Sequence, residues 1–160
     1  MAKASAPKND INIDKQKFDG FFSSLNLDNL EFVQLNYRKL KNPEPEKYNN
    51  IAVNFNAGQG SYQNNMMNDF TRIIIFQDFN FELLEYNNDK QDDKQAVFQL
   101  NTSVVFILRS KNPMDDELFG FFQKRNIPII IHPYLRETIA GALYKAGLPP
   151  LLLPLYHNQF

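Results

Sequence analysis

From residue 30 to residue 110, apolar and polar positions alternate, which is the period of β-strands. Leu30 to Leu40 puts Glu31, Val33, Leu35 and Tyr37 on one face and Phe32, Gln34, Asn36 and Arg38 on the other. The two prolines of Lys41 to Glu46 end this strand, because proline has no N–H to give a ladder. Ile51, Val53, Phe55 and Ala57 alternate with Ala52, Asn54 and Asn56, a half-buried strand with one polar face. Gly58-Gln-Gly60 and the run to Asp69 read as a loop or bulged crossing. A long β-prone stretch follows from Phe70 to Tyr86, then a charged turn from Asn87 to Asp93. Ala96, Phe98, Leu100, Thr102, Val104, Phe106 and Leu108 share one face of the next strand. Long strands joined by a short polar turn pair as antiparallel hairpins. The region therefore predicts a four-stranded antiparallel sheet.

After residue 110 the period changes. Asn112-Pro113 predicts a helix start, with Asp115, Asp116 and Glu117 offsetting the helix dipole and Leu118, Phe121 and Phe122 as its apolar stripe. Asn126-Ile-Pro128 is expected to break it, and Ile129 to Ile131 to be extended. Pro133 is expected to open a second helix. Leu135, Ile139, Ala142, Leu143 and Ala146 recur at helical spacing, Gly147 ends the run and Pro149 prevents continuation. The opposite face of this helix carries Tyr134, Ala140, Gly141 and Tyr144. Its small residues predict a close contact with another chain, an oligomer interface at Ala140, Gly141 and Tyr144. Strands first and helices packed on one side give an α+β class. Residues 1–20 are polar and read as a flexible tail, so residues 21–160 are expected to form one domain.

Composition narrows the function. The chain has 160 residues, enough for one domain with a sizeable core. Seventeen basic and eighteen acidic residues give a net charge of −1, which supplies no electrostatic reason to bind nucleic acid. There is no cysteine, hence no thiolate zinc site and no cysteine nucleophile. No window approaches the ~18 apolar residues of a spanning helix, and the N-terminal stretch has no apolar signal region. A cytoplasmic protein with no membrane insertion is expected. Fifteen Phe and seven Tyr, without Trp, supply large and adaptable contact area.

The C-terminal third carries a pattern of its own. Ile131-His-Pro133-Tyr134-Leu135-Arg136-Glu137, an amphipathic helix, then Gly147-Leu-Pro149-Pro150-Leu151-Leu152-Leu153-Pro154 resembles the signature of the SecB export chaperones. The family-motif positions are Pro133, Tyr134, Arg136, Glu137, Pro149, Pro150 and Pro154. The resemblance implies a four-stranded antiparallel sheet with helices on one face. It also implies a non-enzymatic holdase for unfolded or precursor polypeptides, and a homotetramer built as a dimer of dimers. Export members present acidic residues to the translocation ATPase; Asp78, Glu82 and Glu85 would form only a modest acidic sheet patch here. Some relatives serve an antitoxin instead, so the Sec ATPase and an antitoxin are alternative partners.

The remaining signals are weaker than their ordinary readings. Gly58-Gln-Gly60 lacks the rest of any phosphate loop, and Asp89, Asp92 and Asp93 do not follow a calcium-loop spacing. His132 and His157 lack partners at metal-ligand spacing. No cofactor, metal or catalytic residue is expected. A small-molecule-binding α+β domain is the competing class. For a holdase, the expected client surface is Phe18, Phe21, Phe22 and Leu25 with Leu151, Leu152, Leu153 and Tyr156: apolar area that prolines keep extended. Met66 and Met67, in a polar segment, fit the same idea.

Overall fold

Four strands and two helices follow the chain in the order α1 (Lys15–Phe22), β1 (Asn26–Lys39), β2 (Asn50–Met66), β3 (Thr71–Asn87), β4 (Lys90–Ser110) and α2 (Asp116–Lys145). The structure is a computed structural model that describes residues 15–44, 46, 50–87 and 90–149. The strands form one antiparallel sheet in the order β1-β4-β3-β2. The β3–β4 hairpin thus lies at the centre, and β1 and β2 are its two edges. This is the expected α+β architecture.

Alternation decides which face is buried. Along β3 the odd-numbered residues from Thr71 to Glu85 are buried. Opposite them, Phe98, Leu100, Thr102, Val104, Phe106 and Leu108 of β4 point the same way and are buried too. α2 lays Leu118, Phe122, Ile127, Ile131, Leu135, Ile139 and Leu143 onto this face, completing a single core. Among the described residues no helix lies over the other face, which pairs polar residues at its middle, Asp78 with Ser103, Asn80 with Asn101 and Glu82 with Gln99, and apolar ones toward one end, Ile74 with Ile107 and Phe76 with Val105.

Several boundaries differ from the sequence reading. Residues 15–20, expected in the tail, belong to α1, because Phe18, Phe21 and Phe22 fall on one helical face. Phe18 meets Phe121 at a ring separation of 4.2 Å, and Lys17 Nζ reaches Asp115 Oδ2 at 2.5 Å and Glu117 Oε2 at 3.0 Å. The segment Asn26–Asn29, read as a turn, opens β1, which absorbs its irregularity in bulges between Leu27 and Asn29 and between Phe32 and Gln34. Of the two readings of Gly58 to Asp69, the bulged one holds, and β2 runs on to Met66.

The largest difference is the helix. Residues 126–133 neither break nor extend: α2 is one helix of 30 residues with Pro128 and Pro133 inside it. Each proline removes one backbone hydrogen bond, a cost of about 3 kcal/mol in an ordinary helix interior. Burial of Ile127, Ile131, Leu135 and Ile139, at ~1.5–3 kcal/mol for each large aliphatic side chain, outweighs it. The helix starts later than the expected Asn112-Pro113, with Asp115 as its N-cap, and ends at Gly147 as expected. Asp115 Oδ1 accepts from Leu118 N at 2.9 Å, and Gly147, at φ 68°, closes the far end.

Candidate binding face beside the helix

β2 is built from alternating residues that carry no charge at any of its 17 positions. Its register with β3 sets Ile51 opposite Glu85, Val53 opposite Leu83, Phe55 opposite Phe81 and Ala57 opposite Phe79. All of these are core-facing positions, so the side chains lie on the helix side of the sheet. Ile51, Val53 and Phe55 nevertheless remain between 40% and 55% exposed. The reason is width: α2 covers the two central strands and leaves the edge open. Phe55 stacks on buried Phe79 at 5.8 Å and 15°, which fixes its ring as part of an apolar wall.

The opposite edge repeats the arrangement. Leu35 pairs with Thr102 and Tyr37 with Leu100, again on the helix side. They are 43% and 39% exposed, and Tyr37 stacks on buried Phe98 at 6.1 Å. Two open apolar strips therefore flank the buried centre of the helix-side face.

One end of this face is crossed by the chain as it leaves β1. Leu40 N–H donates to Val97 O at 2.8 Å, and Lys41 Nζ donates to Gln95 Oε1 at 2.8 Å. Buried Glu85 accepts from Glu44 N–H at 2.9 Å through Oε1, while Lys41 Nζ lies 3.3 Å from Oε2 in an ion pair rather than a hydrogen bond. At the other end, amides lock α2 to the β2 bulge. Buried Gln77 donates to Gly58 O at 2.8 Å and accepts from Gln123 Nε2 at 2.7 Å. Tyr62 Oη donates to Asp116 Oδ1 at 2.8 Å. Burial, reinforced by that hydrogen bond, pushes the Tyr62 hydroxyl up to about 12.

The outer face has a different chemistry. Arg38, Gln99, Glu82 and Asn54 form a hydrogen-bonded row across all four strands, and Ser103 donates to Asp78 at 2.6 Å. The expected acidic patch is corrected here. Asp78 and Glu82 share the outer face, but Glu85 has the opposite parity on β3 and is buried on the helix side.

The expected client residues also divide. Phe21 is 1% exposed and belongs to the core, so it is not available to a ligand. Phe18, Phe22 and Leu25 are half-buried against the same core. Leu151, Leu152, Leu153 and Tyr156, with Pro150 and Pro154, lie outside the described residues. Pro133 is an interior helix residue rather than a helix start. Tyr134, Glu137 and Gly141 are exposed on α2, Ala140 is partly exposed, and Tyr144 is 80% exposed. Met66 and Met67 are exposed at the end of β2. Leu35, Tyr37, Ile51, Val53 and Phe55 were absent from the expected site; the signal for Ile51, Val53 and Phe55 was an alternating, charge-free strand at a sheet edge, and for Leu35 and Tyr37 the apolar alternation of β1.

Among the described residues no group of three or more His, Asp or Glu is placed to hold a metal ion. None of the described helices is long and apolar enough to cross a membrane.

The geometry has a known counterpart. The SecB-like chaperone Rv1957 of Mycobacterium tuberculosis, solved in complex with a ChAD peptide from the Rv1956 HigA1 antitoxin, superposes with a TM-score of 0.65. The match spans 87% of this chain and 95% of that one. This chain has a SecB-like fold. At 11% identity the likeness is one of architecture, carried by sheet order and helix placement rather than by shared residues. A protein of unknown function from Streptococcus agalactiae is similar at 12% identity and a TM-score of 0.46, over 82% of this chain and 97% of that one. No protein-family model matches the sequence, and no curated protein matches it.

Proposed function

We propose that this protein is a chaperone of the holdase type, which binds unfolded polypeptide on the helix side of its sheet. The observation that carries this reading is the pair of open apolar strips, Ile51, Val53 and Phe55 on one edge and Leu35 and Tyr37 on the other. A holdase needs exposed apolar area that makes few sequence-specific demands. Half-exposed aliphatic and aromatic side chains beside a rigid helix meet that need. The SecB-like fold and the peptide-bound state of the Mycobacterium tuberculosis neighbour support the same reading. The proposal extends to a cytoplasmic protein that acts without cofactor or metal. It assembles as a dimer of dimers through the exposed face of α2 that contains Ala140, Gly141 and Tyr144.

Two client classes fit this surface: exported precursors and a dedicated antitoxin. The antitoxin reading is favoured by the neighbour's bound antitoxin peptide and by the loss of Glu85 from the outer-face acidic patch. With Asp78 and Glu82 alone, an ATPase that reads acidic residues finds little to hold.

The test is suppression of aggregation of an unrelated, chemically unfolded protein, with no nucleotide present. Suppression near stoichiometric ratio is expected. Failure both to suppress aggregation and to bind the unfolded chain would overturn the reading. Comparing several unrelated clients separates a general holdase from one with a single partner.

A further inference from the structure

The two edges of the sheet are defended unequally. Exposed edge strands carry unpaired N–H and C=O groups, and proteins blunt them with charges, prolines and bulges. β1 does so, with Asp28, Glu31, Arg38 and Lys39 along its length and two bulges in its pairing. β2 has neither charge nor proline from Asn50 to Met66. Its single register shift falls between Ala57 and Gly60, leaving Asn50–Ala57 in unbroken pairing with β3. Among the described residues no strand pairs with the outer edge from Ile51 to Ala57, which is neutral and flanked on the helix side by Ile51, Val53 and Phe55.

We propose that the Ile51–Ala57 edge of β2 is a strand-addition site: a client segment binds in extended form as a fifth strand of the sheet. This deepens the holdase reading and rests on it. The segment it fits is neutral and alternating, with apolar side chains on the helix side and small or amide side chains beside Ala52, Asn54 and Asn56. Main-chain hydrogen bonds supply affinity without regard to sequence, and the apolar strip selects the parity of the segment. A charged residue within the segment would face a strand with no countercharge. The edge therefore sorts charge-poor extended chain from the charged segments of folded surfaces.

The probe is a neutral peptide of about nine residues, alternating Leu, Val or Phe with Ser or Gln, long enough to run beside Ile51–Ala57. Two versions are N-methylated at all odd or all even amides, which removes one row of donors and leaves every side chain. The alternation fixes which row faces β2. One methylated version is expected to lose at least about tenfold in affinity while the other keeps the parent's affinity, and amide exchange in Ile51–Ala57 is expected to slow on binding while exchange in β1 does not. Equal affinities of the two methylated versions would overturn strand addition, as would protection of β1 instead of β2. Outward-pointing amides of β2, those not bonded to β3, that are already protected before peptide is added would assign the edge to a second copy of the chain, also overturning it. If the unmodified peptide fails to bind while an unfolded protein client binds, the strand mode falls and the holdase reading survives. If neither binds, both fall.

Discussion

At the scale of single residues, two positions seat α2, one against the sheet and one against α1. Gly60 sits where β2 passes beneath α2. A Cβ there would come within 2.5 Å of Gln77 Oε1, 2.7 Å of Gln123 Nε2 and 3.1 Å of Phe119. Gly60→Ala should therefore break the Gln77–Gln123 amide pair and cost about 1–3 kcal/mol, the usual range for overpacking, read as a lower urea midpoint with unchanged slope. Asp115 is the second. Burial pushes its carboxyl up, but the Leu118 N–H and the Lys17 ammonium outweigh burial and hold it below its ordinary value. A carboxyl depressed in the folded state contributes stability that is present above its unfolded pKa and lost as pH falls through the folded one. Asp115→Asn keeps the cap but does not titrate. Its stability should therefore fall less than the parent's as pH drops below ~4, near the ordinary carboxyl value, as measured by thermal unfolding across that range. Asp115 was legible as an acidic residue near a helix start, but not as the cap, because Asn112-Pro113 offered an earlier start. The role of Gly60 was not legible, because nothing in Gly-Gln-Gly reveals that a helix 60 residues later crosses it. Phe21 was misread for the same kind of reason: a Phe in a cluster looks alike whether it lies on a core or a groove, and only the packing of α1 on α2 decides.

At the scale of elements, α2 contains two stripes. Leu118 and Phe122 define the first, and Ile127, Ile131, Leu135 and Ile139 the second. At 100° per residue the five-residue step from Phe122 to Ile127 rotates the second stripe by roughly two fifths of a turn from the first. An ideal straight helix could not bury both on one flat sheet. The step falls between Phe122 and Ile127, next to Pro128, whose missing N–H removes one helical hydrogen bond. The break expected at Asn126-Ile-Pro128 is absent, because a proline signal reads as a break until tertiary burial is counted. The two prolines should differ on removal. Pro133 is exposed, beyond the step, within the regular second stripe. Pro133→Ala should restore a hydrogen bond and raise stability, by up to ~3 kcal/mol. Pro128→Ala straightens the step itself and should gain less or lose stability, because Ile127 and Phe122 then compete for one face. Urea midpoints of the two variants decide it. An equal gain from both would show that the rotation is absorbed elsewhere. The strands were easier to read than the helix, since a period of two survives to the edge of each element. The bulge between Ala57 and Gly60 hid the second half of β2, because it interrupts the alternation where the polar residues begin.

At the scale of the molecule, the core uses one face of the sheet and one side of α2, and what remains is divided by chemistry. The outer sheet face joins a hydrogen-bonded polar row to an apolar patch of Ile74, Phe76, Val105 and Ile107, the two edges of the helix face are apolar, and the back of α2 is mixed. Ile129, Pro133, Tyr134, Glu137, Ala140, Gly141 and Tyr144 lie on that back, away from the buried stripe. A tyrosine 80% exposed beside small residues is a poor surface for an isolated subunit and a good one for a close contact between helices. Gly141 offers a clean test, because a Cβ there meets nothing within 4 Å inside the subunit. Gly141→Trp should leave the fold of each subunit intact, with unchanged circular dichroism. In a tetramer joined through this face it should still obstruct the neighbouring helix and lower the assembled mass. The expected result is a tetrameric mass for the parent protein by light scattering at micromolar concentration and a smaller species for the variant. A parent that scatters as a monomer would remove the dimer-of-dimers assembly. A variant that remains tetrameric would move the contact off this helix face and onto a strand edge. The charged, bulged edge of β1 is ill-suited to a continuous sheet between subunits. The neutral edge of β2 would then be the surface to examine, and a second copy would compete there with any extended client.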